Sequence, residues 1–283
     1  MSSPDPAASR TADDPPPKRT VAVVVPLSRN LDFSEEDRIA IRHILHYLPN
    51  TDRFMIAPRS ARFRHPDFNV LDFPDRFFGS LNAHTRMLLT TKFYEAFLDY
   101  DYILFHHLDA LVLDSRLEDW CRLGYDFIGA PRLGPVHHKP FVVGNGGFAL
   151  RRVRSYLEVL RSRRYAVDPE LYWQRICQGR STAARLAYLP RRYLKRLHFF
   201  NGIKREIAII LANGSHYEDI FMTENATKYY PAFRFAPHEL ALRFAFDEVP
   251  RTCFEMNGFE LPFGCHAWYK QDRQFWEPYI LPG

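Results

Sequence analysis

The chain has 283 residues, 46% of them hydrophobic and 25% charged, enough apolar material for one large α/β domain or two small ones. No run approaches the roughly 20 apolar residues that a membrane-spanning helix requires, and the start lacks the basic-then-apolar layout of a signal peptide, so a cytoplasmic protein is expected. Cys121, Cys177, Cys253 and Cys265 form no CxxC pair, which disfavours a disulfide framework or zinc knuckle, while a net charge of +5 suits an anionic partner without naming it.

Residues 1–18 are rich in Pro, Ser, Ala and Asp and read as a disordered leader, because they carry too little apolar surface to offset ordering. From Thr20, TVAVVVPLS is a β-branched run ended by proline, the pattern of a parallel strand buried on both faces. Ser34 precedes Glu35, Glu36 and Asp37, a capping residue and first-turn acids opening the helix IAIRHILHYL. Short strands follow at Arg53 to Ala57 and Asn69 to Phe73, then a helix between His84 and Tyr100. This alternation predicts an α/β sheet.

DYILFHHLDALVL, from Asp101 to Leu113, starts as a buried strand but carries His106, His107 and Asp109 where its apolar run gives out. Ligands of open parallel sheets gather at such carboxyl ends, and a carboxylate there can hold a hard divalent cation. The alternative for a lone Asp is an ion pair or a cap. A short helix near Arg116 to Arg122, a strand in YDFIGAP, and VVGNGGFAL leading into a basic helix from Arg151 come next. In the GNGG stretch, Gly144, Gly146 and Gly147 permit positive backbone torsions and close approach, and Asn145 adds a hydroxyl-binding amide. It could equally be an ordinary tight turn.

Residues 162 to 214 read as an insertion or acceptor-side region. Basic residues cluster at Arg151 to Arg164 and Arg191 to Arg205, interleaved with apolar ones as in RRYLKRLHFF, so the chain either touches a membrane peripherally or presents a solvated face. SHYEDIFMTENA starts a helix whose Glu218 and Asp219 could supply a catalytic base or simply favour its dipole. His266, in PFGCHAW, could reach a metal as neutral imidazole or be a hydrogen-bonded core residue. No HExxH supports zinc at HHLD or His137–His138, no GxSxG marks a serine hydrolase, and no nucleic-acid module is recognisable.

Taken in order, FFGSLNAHTRMLLTTKFYEAF, YDYILFHHLDALVL, WCRLGYDFIGAP, GNGGFALR, YEDIF and PFGCHAW resemble a bacterial family catalogued as a domain of unknown function (DUF5672) and read as glycosyltransferases. The resemblance runs from about Val21 to Lys270. It implies a GT-A-like, Rossmann-related single domain over residues 19–283, with a mixed, mostly parallel sheet flanked by helices. It also implies a nucleoside diphosphate sugar donor, a carbohydrate or lipid-linked glycan acceptor, and Mn²⁺ or Mg²⁺ held on the diphosphate by an Asp-x-Asp element. Asp109 matches the second acid of that element, and His107 stands in place of the first. The ion is then expected to take fewer protein ligands and to lean on His266. Val25, Pro26, Lys92 and His107 are assigned to the nucleotide, Asn145 to Gly147 to the donor sugar or acceptor, and Asp219 or Glu218 to a base if the enzyme inverts. The alternative is a protein of the same fold that binds a sugar nucleotide or carbohydrate without turnover.

Overall fold

The computed structural model describes residues 19–132, 142–164, 170, 173–174, 177–197, 202–213 and 217–283. The expected leader and the His137–His138 pair lie outside them. Strand β1 (Arg19–Pro26), helix α1 (Glu35–Tyr47) and strands β2 (Asp52–Pro58) and β3 (Asn69–Phe73) stand where the sequence pattern puts them. Helix α1 opens with a reciprocal cap: the Asp37 N–H donates to Ser34 Oγ at 3.1 Å, and the Ser34 N–H donates to Asp37 Oδ2 at 2.9 Å.

The single helix expected from His84 to Tyr100 is instead two, α2 (Leu81–Leu88) and α3 (Thr91–Glu95), and Tyr100 already opens strand β4 (Tyr100–His106). The break falls at Leu89 and Thr90, where Thr90 Oγ1 donates to the Met87 carbonyl at 2.9 Å and so competes with the helical ladder. Strand β5 (Leu111–Val112), helix α4 (Leu117–Arg122) and strands β6 (Phe127–Gly129), β7 (Pro131–Arg132), β8 (Val142–Val143) and β9 (Phe148–Arg152) follow, then helix α5 (Val153–Leu160). The basic helix expected from Arg151 therefore starts two residues late. Arg151 is a strand residue with 0% exposure rather than part of a cationic surface.

The main sheet runs β3-β2-β1-β4-β9-β6. β3, β2, β1 and β4 pair in parallel, and β9 is antiparallel to both β4 and β6. The expected mixed, mostly parallel sheet flanked by helices is present. Ala22 and Val24 of β1 face one core with Phe93, Phe97 and Phe221, while Val21, Val23 and Val25 face a second with Ile44 and Leu48. A strand covered on both sides has no polar face, which accounts for the unbroken apolar run. Chain order reverses between β1 and β4, so their carboxyl ends open a crevice.

A second sheet has the order β10-β11-β5, with strand β10 at Ala245–Phe246 and strand β11 at Gly264–Cys265. It ties the end of the chain to the segment just after β4. Within the region of residues 162 to 214 the described residues form helices at Thr182–Arg196 and Ile203–Asn213, and a further helix spans Glu218–Tyr229. All four cysteines are unpaired and buried. Among the described residues no helix is long and apolar enough to cross a membrane.

Candidate metal centre and adjoining cavities

Asp109 does not end β4. That strand stops at His106, and Asp109 sits in the turn before β5. The two sheets converge on this turn. Opposite His106 in the ladder is Phe148, so the next residues along also meet, and the His107 N–H donates to the Gly147 carbonyl at 2.8 Å. In the small sheet Phe246 pairs with Cys265, which brings the following Asp247 and His266 side by side. His266 Nδ1 lies 2.8 Å from Asp247 Oδ1, and the Trp268 N–H donates to the Asp109 carbonyl at 3.1 Å.

His107, Asp109 and His266 thereby offer ligand atoms within 4.8 Å of one another. Asp109 Oδ1 is 3.3 Å from His266 Nε2 and 3.9 Å from His107 Nδ1. This oxygen is buried and accepts no hydrogen bond, whereas Oδ2 accepts from Lys270 Nζ at 2.6 Å. A buried carboxylate oxygen facing two imidazole nitrogens is what a divalent cation would satisfy, so the donor set fits a metal. His107 is thus a third ligand candidate, not a gap in the set. Burial alone would raise Asp109, but His266, His107 and Lys270 hold it well below the usual carboxylate range. For His266 burial acts downward, and the two carboxylates, Asp109 and Asp247, outweigh it to lift the imidazole to about 9. His107 is pushed well down by burial, then by His84 and His266.

Behind His266 stands a relay that the sequence reading lacks. Asp247 Oδ2 accepts from Asn145 Nδ2 at 2.6 Å, and Asn145 Oδ1 accepts from the Gly147 N–H at 2.8 Å. An Nδ1–H donated to Asp247 leaves Nε2 free for an ion, the usual carboxylate–histidine–metal arrangement. The GNGG stretch serves close packing instead of a left-handed turn. Among the described residues the glycines with positive φ are Gly79, Gly124, Gly179 and Gly258, whereas a Cβ on Gly147 would lie 2.1 Å from His266 Nε2.

Two cavities meet at His107. The larger, about 900 Å³, is lined by Pro26 and Leu27 at the end of β1, by Arg29 and Asp37, and by Asp109 and Lys270. The smaller, about 320 Å³, is lined by His84, Asn145, Gly146, Gly147, Glu218, Asp219 and His266. Sequence-predicted residues from five segments are thus brought together. Val25 instead has its side chain in the core, and Lys92 is exposed on α3, outside the linings of both cavities.

Glu218 and Asp219 begin the helix at Glu218–Tyr229, but both are committed to arginines. Arg151, at 0% side-chain exposure, holds Glu218 at 3.0 Å, and Arg132 Nη2 donates to Asp219 Oδ2 at 2.8 Å. That same Oδ2 accepts from the Gly146 N–H at 2.9 Å. Burial pushes the Glu218 carboxyl up to about 7 against the pull of Arg151. Asp247, Lys270, Arg132 and Arg151 are the site residues that the sequence reading missed. Asp247 follows the short apolar run FAF, the same sign that drew notice to Asp109 after ILF.

Fold and cluster together define an α/β protein with a candidate divalent-metal centre where its six-stranded and three-stranded sheets meet. The chain belongs to the family described as protein of unknown function (DUF5672), whose profile matches residues 67–266. Comparison with curated proteins finds no match. Solved structures similar in fold include the galactosyltransferase LgtC in complex with donor and acceptor sugar analogs. It is 14% identical, with 87% of this chain and 86% of that chain covered and a TM-score of 0.46. The glycosyltransferase GlyE of Streptococcus pneumoniae TIGR4 is 12% identical, with 94% and 61% covered and a TM-score of 0.46. The bifunctional IspDF of Campylobacter jejuni is 10% identical, with 50% and 43% covered and a TM-score of 0.33. The chain thus spans less than two thirds of the GlyE and IspDF chains.

Proposed function

We propose that the chain is a GT-A glycosyltransferase that moves a sugar from a nucleoside diphosphate sugar, with UDP-sugars the first donors to test, to a carbohydrate or lipid-linked glycan acceptor. The observation that carries this reading is the three-residue ligand cluster at the junction of two cavities, one of them opening at the carboxyl ends of β1 and β4. His107, Asp109 and His266 would hold a divalent ion. A bound ion would supply positive charge against a departing diphosphate.

The cavity of about 900 Å³ has room for the nucleotide, between Pro26 and the cationic pair Arg29 and Lys270. Lys270, which lines this cavity, takes the phosphate-neutralising part that the family resemblance implies for Lys92. The cavity of about 320 Å³ would take donor sugar and acceptor against Asn145, Gly146 and Gly147. Glu218, raised toward neutral pH by burial, is the better base for an inverting reaction, and Asp219 the weaker. A retaining reaction would need neither. No acid lies in the helix Thr182–Arg196, which exposes Leu186, Tyr193 and Leu194 among its arginines and supports a peripheral, cytoplasmic-face membrane contact. Absence of flotation with anionic liposomes would remove that contact.

The test is donor hydrolysis across a panel of UDP-, GDP- and TDP-sugars with Mn²⁺, where metal-dependent sugar release is expected from at least one. A second reading, a sugar-nucleotide-binding protein without turnover, is favoured by the ion pairs that occupy both Glu218 and Asp219. Metal-dependent UDP binding with no turnover over donors and acceptors would establish it.

A further inference from the structure

We propose that the His107–Asp109–His266 centre selects a first-row transition ion that accepts imidazole nitrogen, with Co²⁺ and Zn²⁺ ahead of Mn²⁺, and rejects Mg²⁺. The inference rests on the reading of these side chains as an ion site and deepens it by naming the ion class. Two of the three ligand atoms offered are ring nitrogens. Mg²⁺ demands oxygen ligands in near-ideal octahedral array, whereas imidazole suits Zn²⁺, Fe²⁺ and the later first-row ions.

The supply of oxygen here is small. Asp109 commits Oδ2 to Lys270 and leaves a single free oxygen. The carboxylate behind His266, Asp247, has Oδ1 against His266 and Oδ2 against Asn145, so it cannot turn toward the ion without undoing the relay. Glu218 and Asp219 are held by Arg151 and Arg132. The set is therefore two nitrogens and one oxygen on a cluster one-tenth to one-third exposed, leaving open positions for water or phosphate oxygens. Sites of this composition follow the order in which Mn²⁺ binds less tightly than Co²⁺ or Zn²⁺.

The experiment strips the full-length protein with chelator and titrates it calorimetrically with Co²⁺, Zn²⁺, Mn²⁺ and Mg²⁺, with the Co²⁺ absorption spectrum followed in parallel. The expected result is Co²⁺ and Zn²⁺ binding about tenfold or more tighter than Mn²⁺, a Co²⁺ spectrum showing nitrogen ligation, and no displacement of Co²⁺ by a hundredfold excess of Mg²⁺. Competition by Mg²⁺ at equal concentration, or no binding by any of the four ions, would overturn the proposal. His107→Asp should narrow the gap between Mg²⁺ and Co²⁺ by adding an oxygen ligand. If that variant does not fold, the wild-type competition decides alone. Calorimetry with UDP separates the two readings. Tight Co²⁺ binding with no UDP binding would remove the glycosyltransferase and keep the ion preference, while equal support of UDP binding by Mg²⁺ and Co²⁺ would do the reverse.

Discussion

His266 meets Asp247 through Nδ1 and faces Asp109 through Nε2, so its orientation depends on a residue 19 positions earlier in the chain. Asp247→Asn should keep the packing but weaken the fixing of the ring. Metal affinity is expected to fall about 10- to 100-fold, read by calorimetry. Gly147→Ala should be more severe for metal, since the added methyl would occupy the place of Nε2. Arg151 makes the opposite case, a residue whose loss is paid in stability. It is fully buried between Glu218 and the Phe105 ring, 4.2 Å from its centroid, so Arg151→Met would strand a buried carboxylate and cost about 3–5 kcal/mol in denaturant unfolding. Asp109 and His266 were legible because an acid and an imidazole interrupt apolar runs. Asp247 was not, since an acid before Glu248 reads as a loop charge until strand register sets it beside His266.

At the level of elements, legibility followed length and periodicity. β1, α1 and β3 carry clear signals of alternation, capping or β-branched content. Ser34→Ala should cost helix α1 about 1 kcal/mol, measured as a shift in the unfolding midpoint, because the Asp37 N–H loses its acceptor. The break between α2 and α3 was hidden, as every residue of HTRMLLTTKFYEAF tolerates a helix and only the Thr90 hydroxyl bond to Met87 marks the gap. Strands β5, β10 and β11 have two residues each, too few for any period to show. Their pairing, and with it the place of Asp247 beside His266, was for that reason out of sequence view.

For the whole molecule, buried imidazoles set the response to acid. Burial pushes His84 and His106 down to about 4, and it also lowers His43 and His107 below the ordinary 6.5. Each takes up a proton on unfolding below pH 6.5, so the stability they give is present above that pH and is lost as pH falls toward 4. Glu218, at about 7, acts in the opposite sense, but it is one group against four. The contribution of His266, raised to about 9, is complete below 6.5 and is lost only as pH rises above it. The metal-free protein should therefore show a melting temperature that drops between pH 6.5 and 4. A constant or rising value would contradict the assignment of neutral, buried histidines.

The three-stranded sheet also sets an order of events during synthesis. β5 emerges with His107 and Asp109, but β10 and β11 are made more than 130 residues later and bring Asp247, His266 and Lys270 with them. A nascent chain halted before Leu261 would hold His107, Asp109 and the relay residues Asn145 and Asp247, but neither His266 nor the Lys270 that pairs with Asp109. Metal capture at the proposed centre would then come late in assembly, and ion retention by a newly made chain would report that β11 has docked.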